Sequence, residues 1–253
     1  MVALWSLDGG PLLRLLPDLR GYPPPMQQRA KDTRLSVIEG AARVFAEIGY
    51  GNASLTDITK RAGVTKGALY FHFTSKEELA QAVLAEQVRA LPPVSVPPLK
   101  LQQAVDEALL LTQLLQKETG DPIIRGSVSL TTDPAVGAAG LDQKIPMQLW
   151  IDYSKSLFAE AKAAGELLPH VDLESIARLS VGAFTGVQML SNIMENRADM
   201  MERVCDLYRY LLTATAVPAV LVQLDFSPER GAKVYESVMK ERQAATEDTA
   251  MTA

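Results

Sequence analysis

The chain has 253 residues, 47% of them apolar and 22% charged, proportions that suit a globular chain with one large core or a small domain beside a medium one. A single cysteine, Cys205, excludes a disulfide framework and a cysteine-based zinc site and points to a reducing compartment. The net charge of −5 speaks against nucleic acid until its distribution is followed. Arg29–Lys76 holds eight basic residues against four acids, a local +4, whereas Glu77 onward holds 15 against 24, a local −9. A basic head on an acidic body suits a protein that meets phosphates at one end only.

The first 28 residues contain Gly9-Gly10-Pro11 and Pro23-Pro24-Pro25 without sustained periodicity, and are expected to form a flexible extension, with Met26 as an alternative start. Asp8 to Pro11 interrupt any signal-like core, and no apolar run reaches the roughly 18 residues of a membrane span, so a cytoplasmic protein without a membrane partner is expected.

A first helix begins near Ala30, with Leu35, Ile38, Ala42 and Phe45 on one stripe and Gly49 as its stop. Ser54, with Asp57 in the first turn, opens a second helix whose Leu55, Ile58 and Ala62 share a face and which ends at Gly63. Thr65 opens a short third helix to about Phe71. Ser75-Lys-Glu-Glu78 reads as a capping box for a long helix to about Ala90, which Pro92, Pro93, Pro97 and Pro98 terminate. Beyond the prolines, helical spacing recurs in Leu99–Lys117, Pro122–Thr131, Ile145–Ala164, Leu173–Asn196 and Met200–Ala216, and more weakly in Val234–Arg242. No alternating strand pattern is present, and the fold class is all-α.

Three short helices, the last two joined by a tight turn at Gly63, follow the helix-turn-helix plan, which leaves the third helix projecting toward a major groove. Thr65 and Lys66 can reach a phosphate or a base edge, Gly67 and Ala68 permit close backbone approach, and Tyr70 offers a hydroxyl. Lys76 stands at a helix start that also favours an anion. Phe71, His72, Ser54 and Thr56 complete the DNA-binding candidates. Bland readings stand beside these: Leu55, Ile58, Leu69, Phe71, Phe73 and Leu79 suit a core, His72 suits helix-end packing as well as a phosphate, and Lys60 and Arg61 suit a solvated surface.

The run Leu55-Thr-Asp-Ile-Thr-Lys-Arg-Ala-Gly-Val-Thr-Lys-Gly-Ala-Leu-Tyr-Phe-His-Phe-Thr-Ser-Lys-Glu-Glu-Leu79 resembles the DNA-binding signature of TetR-type repressors, in order and without gaps over residues 30–80. The stretch Lys66 to Phe73 is most similar to the γ-butyrolactone autoregulator receptors, a branch that includes receptors for furan and butenolide signals in antibiotic-producing bacteria. The resemblance implies a helix-turn-helix domain over residues 29–76, a ligand-binding and dimerisation domain over 77–243 and a disordered tail over 244–253. It implies a homodimer on palindromic double-stranded operator DNA, released by a small-molecule autoregulator and needing no cofactor. An unrelated hydrophobic drug or metabolite is the alternative inducer.

In the body, Trp150, Tyr153 and Leu157 share one helix face, where large aromatics either line a cavity or fill a core. The resemblance favours Trp150 as a ligand contact, since butyrolactone receptors carry a tryptophan at this distance before a segment similar to Ala161-Lys-Ala-Ala-Gly-Glu-Leu167. Gln148, Phe184, Thr185, Leu110 and Leu114 join the ligand candidates. Gln188, in an apolar stretch, needs a partner, a ligand, water or a dimer contact. Arg125 suits a ligand carboxylate or a core acid. The long helices Leu173–Asn196 and Met200–Ala216 suit a four-helix dimer contact, and the helix Ser75–Ala90 suits a lever between the two halves. No Gly-x-Ser-x-Gly, Walker loop or dinucleotide turn is present, and the two histidines, His72 and His170, lie far apart, so neither an enzyme nor a metal site is expected.

Overall fold

A computed structural model describes residues 28–117 and 120–251, so the expected N-terminal extension falls outside the described residues except for Gln28. The chain is all-helical: α1 (Gln28–Asn52), α2 (Leu55–Ala62), α3 (Lys66–His72), α4 (Lys76–Ala90), α5 (Lys100–Leu115), α6 (Pro122–Thr132), α7 (Pro134–Ala138), α8 (Lys144–Ala163), α9 (Leu173–Glu195), α10 (Met200–Thr215), α11 (Pro218–Leu221) and α12 (Pro228–Met251). Among the described residues the extended pairing is one isolated antiparallel bridge, Leu167 with Ala216.

The helices fall into two compact units. Among the described residues, the first contains 28–91 together with Gly120–Met147, and the second contains 92–117 and 148–251. In the first unit, α1 buries Val37, Ile38, Ala41 and Phe45 against Ile58 of α2, Leu69 of α3, and Leu79 and Val83 of α4, and Leu130 of α6 joins the same core. α4, α6 and α7 pack with the helix-turn-helix in one body, which therefore extends beyond the boundary expected after Lys76.

α6 lies along α1 in three registers. A Cβ on Gly126 would stand 2.4 Å from the Ala42 carbonyl oxygen, so only a glycine allows this approach. The Ser129 hydroxyl donates to the Phe45 carbonyl at 3.1 Å, and Asp133 Oδ2 accepts the Tyr50 N–H at 3.0 Å. That last bond fastens the chain just past Gly49, whose φ of 76° and ψ of 163° break the helix there, as expected, with one short further turn to Asn52 beyond the break. Gln143 Nε2 closes α6 by donating to the carbonyls of Leu130, Thr131 and Asp133 at 2.8, 3.0 and 3.1 Å.

In the second unit α5 begins at Leu99, which supplies no side-chain cap. Glu166, 3% exposed, supplies one from the turn after α8: its two oxygens accept the N–H groups of Lys100 and Leu101 at 2.9 and 2.8 Å. Farther along α5, buried Asp106 receives the Arg230 guanidinium of α12, with Nη2 at 2.7 Å, and Gln102 bonds both Asp106 and the backbone of Asp225. α12 runs to Met251, through residues expected to form an unstructured tail; Lys240 to Ala244 are good helix formers that carry it on.

The tight seam between α6 and α1 gives a direct expectation. Gly126→Ala forces the two backbones apart and lowers the unfolding free energy by about 1–3 kcal/mol, measured from urea midpoints of the purified variant.

Candidate nucleic-acid interface and helical body

α2 and α3 are set by local chemistry. Ser54 caps α2 in a reciprocal box with Asp57, whose carboxyl is held below its usual range by the Ser54 hydrogen bond. Gly63 adopts the left-handed conformation at φ 67° and turns the chain. Thr65 caps α3 through its hydroxyl, which accepts the Ala68 N–H at 3.2 Å. Leu69 is the buried residue of this seven-residue helix, and Phe73 at its end is buried under the Arg34 guanidinium, 5.1 Å from the ring centre.

The remainder of α3 looks outward. Thr65, Lys66 and Gly67 are exposed, Ala68 is half-buried, and Tyr70 and Phe71 are 54% and 77% exposed. Phe71 thus lies outside the core that its apolar ring alone suggested. Thr56 is exposed at the first turn of α2, and the Ser54 hydroxyl is already engaged in its cap. His72 is half-buried. Burial first, then the Arg34 charge, holds its imidazole below the usual range, so it meets neutral pH uncharged. Arg61 forms a fork with Glu47 across α1 and α2, while Lys60 is exposed.

Lys76 has an engagement that its position at the start of α4 did not signal. Its ammonium donates to the carbonyls of Tyr50 and Ala53 at 2.9 and 3.0 Å and sits 4.3 Å from the centre of the Tyr50 ring. The Tyr50 hydroxyl donates to Glu77 at 3.0 Å, and its phenol is pushed up to about 12 by burial and by that carboxylate. The side chain of Lys76 therefore closes the last turn of α1, leaving the backbone amides at the start of α4 as its contribution toward an anion.

In the second unit the sensor candidates separate. Leu110 and Leu114 of α5 are fully buried. Trp150 of α8 is half-buried, and Gln148 is exposed and bonded to Asp152 at 2.9 Å. Tyr153 is buried and its hydroxyl donates to Glu107 Oε1 at 2.6 Å; the same oxygen accepts Gln103 Nε2 at 2.9 Å. Sequence reasoning missed Glu107 and Gln103, whose signal was polar residues within the apolar repeat of α5. Phe184 and Thr185 of α9 are half-buried, the Thr185 hydroxyl donating to the Val181 carbonyl at 2.8 Å. Gln188 is 3% exposed and accepts from Arg197 at 3.2 Å, so its amide oxygen is served within the chain. Arg125 lies on α6, in the first unit.

α9 also carries an uncovered apolar stripe. Leu179, Leu190 and Ile193 are 58%, 49% and 74% exposed, and Gly182 and Gly186 stand between them with open space beside them; Tyr210 of α10 is 72% exposed. Among the described residues, no helix is long and apolar enough to cross a membrane, and no group of three or more metal-ligating side chains is present.

Comparison with known proteins places this arrangement among regulators. Residues 37–83 match bacterial regulatory proteins of the tetR family. The A-factor receptor protein of Streptomyces griseus is 32% identical over 221 residues, covering 87% of this chain and 77% of that protein. The solved structure of TylP, a tetR regulator from Streptomyces fradiae, is 56% identical with a TM-score of 0.77, covering 84% of this chain and 100% of that one. A γ-butyrolactone receptor described as ArpA-like shares the fold, with a TM-score of 0.61 at 24% identity over 83% of this chain and 100% of that one.

The contacts of Lys76 predict that Lys76→Met acts on stability. Two carbonyls lose a charged donor, and the unfolding free energy falls by about 1–3 kcal/mol, visible as a lower urea midpoint in the absence of DNA.

Proposed function

The chain belongs to the tetR family of bacterial regulatory proteins, and from that membership we propose that it is a ligand-responsive repressor, a homodimer that binds a palindromic operator and is released by a small signalling molecule. Its class is that of a transcriptional regulator, as for its relatives, and not that of an enzyme. The observation that carries the reading is α3, which buries Leu69 and leaves Thr65, Lys66, Gly67, Tyr70 and Phe71 on the surface of the basic part of the chain.

Thr65, Lys66 and Tyr70 serve as phosphate and base-edge contacts, and Gly67 and Ala68 let the backbone approach the duplex. Thr56, Ser54, Phe71, His72 and the amide of Lys76 border that contact. One short helix binds DNA weakly; two, about one turn of DNA apart, read a palindrome. The stripe of Leu179, Gly182, Gly186, Leu190 and Ile193 supplies the face for the second protomer, its glycines permitting close helix approach.

The inducer is a γ-butyrolactone, furan or butenolide signal governing secondary metabolism. The likeness to the A-factor receptor over 87% of the chain supports this class. The guest lies in the helical body with Trp150 against its ring and Tyr153, Leu110, Leu114, Phe184 and Thr185 as candidate neighbours; Gln148 and Gln188 are the polar candidates, and Arg125, in the other unit, is left out of the site. Release follows when the guest binds better to a conformation in which the two reading helices no longer match the operator spacing.

Two measurements test this. A folded Lys66→Ala, Tyr70→Ala double variant loses affinity for DNA from upstream of its own gene by about a hundredfold or more in gel shifts; unchanged binding refutes the assignment of α3. Trp150→Ala retains that DNA binding yet is not released by a γ-butyrolactone that releases the wild type; normal release removes Trp150 from the site.

A further inference from the structure

His72 ends α3 directly after the exposed Tyr70 and Phe71, and it is itself half-buried. Its imidazole stands nearly at right angles to the Phe71 ring, with centres 5.0 Å apart, and lies 6.5 Å from the Phe73 ring. The half-buried Arg34 of α1 lays its guanidinium over that same Phe73 ring, 5.1 Å from the centre. An imidazole and a guanidinium thus share one aromatic seat at the end of the reading helix. Among the described residues, neither side chain makes a hydrogen bond or a contact ion pair.

The charges around this pair are few. Arg34 from α1 acts on the imidazole, and Glu78 from α4 acts on Arg34 at longer range while its Oε2 accepts the N–H and hydroxyl of Thr74 at 2.7 Å. Lys76 turns away to the Tyr50 and Ala53 carbonyls. Arg34 brings a fixed charge and a fork of donors, and His72 brings a donor whose charge depends on its surroundings. Side by side without an anion in contact, they form a seat for an oxyanion.

We propose that Arg34 and His72 together hold one backbone phosphate of the operator, and that the phosphate draws a proton from solvent onto the imidazole, so that the hold on DNA tightens as pH falls. The inference rests on the reading that α3 meets DNA. In the free protein, burial and then the Arg34 charge hold the imidazole below its usual range. A phosphate between the two groups offsets the Arg34 charge and accepts from the imidazolium, which makes protonation easier in the complex. The complex then carries more protons than its separate parts, at most one per protomer. By linkage, affinity rises as pH falls through the interval between the lower, free value and the higher, bound one, and it is level outside that interval.

The test follows the proton and the affinity together. The chain has two histidines, His72 and His170, so two imidazole signals are titrated by NMR in the full-length protein, alone and with a duplex from upstream of its own gene; His72→Gln assigns them. The His72 signal is expected to titrate below the usual histidine range in the free protein and higher with the duplex. In gel shifts on that duplex, wild-type affinity is expected to be about tenfold or more greater near about pH 6 than near about pH 8. His72→Gln reduces that ratio to less than about threefold. Arg34→Met keeps an apolar cover on Phe73; its free His72 titrates higher, and the fall of log affinity with log salt becomes shallower by about one for each protomer. If Arg34→Met does not fold, the wild-type and His72→Gln profiles decide. A His72 titration that the duplex leaves in place, or equal pH dependence in wild type and His72→Gln, overturns the phosphate seat and leaves α3 as the reading helix. An unchanged salt slope in folded Arg34→Met removes Arg34 from the seat and overturns the paired hold. Failure of the wild type to bind the duplex at any pH overturns the reading of α3 and the seat with it.

Discussion

A helix of seven residues that buries one leucine cannot be held by its own core, so everything α3 does depends on how its ends are fixed. Thr65 caps the start through the Ala68 N–H, and Phe73 clamps the finish beneath Arg34. The chain is then caught at once by Glu78, whose Oε2 accepts both the N–H and the hydroxyl of Thr74 at 2.7 Å. Lys76 and Tyr50 tie the start of α4 to the end of α1. With its position determined from outside, α3 is free to expose nearly its whole surface, including an aromatic ring that a self-sufficient helix would turn inward.

The second unit solves a different problem, that of orienting long apolar helices that slide easily over one another. It uses buried polar contacts at a few points. Glu166 holds the start of α5, Asp106 and Arg230 join its middle to α12, and the Glu107–Tyr153 bond joins it to α8. Breaking any of these leaves a charged or polar group without its partner in a low-dielectric setting, which is why such contacts fix geometry more effectively than they add stability.

The reading head was legible in the sequence because its signals are local. Ser54 with Asp57, Gly63, Thr65 and Ser75 lie within three or four residues of the groups they satisfy, so capping chemistry alone marks α2, the turn, α3 and α4. The carboxylate contacts of the body were not legible, because their partners lie 46, 65 and 124 residues away for Glu107–Tyr153, Leu101–Glu166 and Asp106–Arg230. Phe71 and Lys76 fall between these cases. Their residue types were noted, but exposure of the ring and engagement of the ammonium depend on what α1 and α4 bring beside them. The packing of α6 on α1 is illegible for the same reason: Gly126, Ser129 and Asp133 carry no local signal, and their roles depend on Ala42, Phe45 and Tyr50 lying against them.

The seam between α6 and α1 has a mechanical consequence. Steric contact at one level and directed bonds at two more tie α6 to α1, and α1 packs in turn against α2 and α3, so the placement of α3 depends on residues as far along the chain as Asp133.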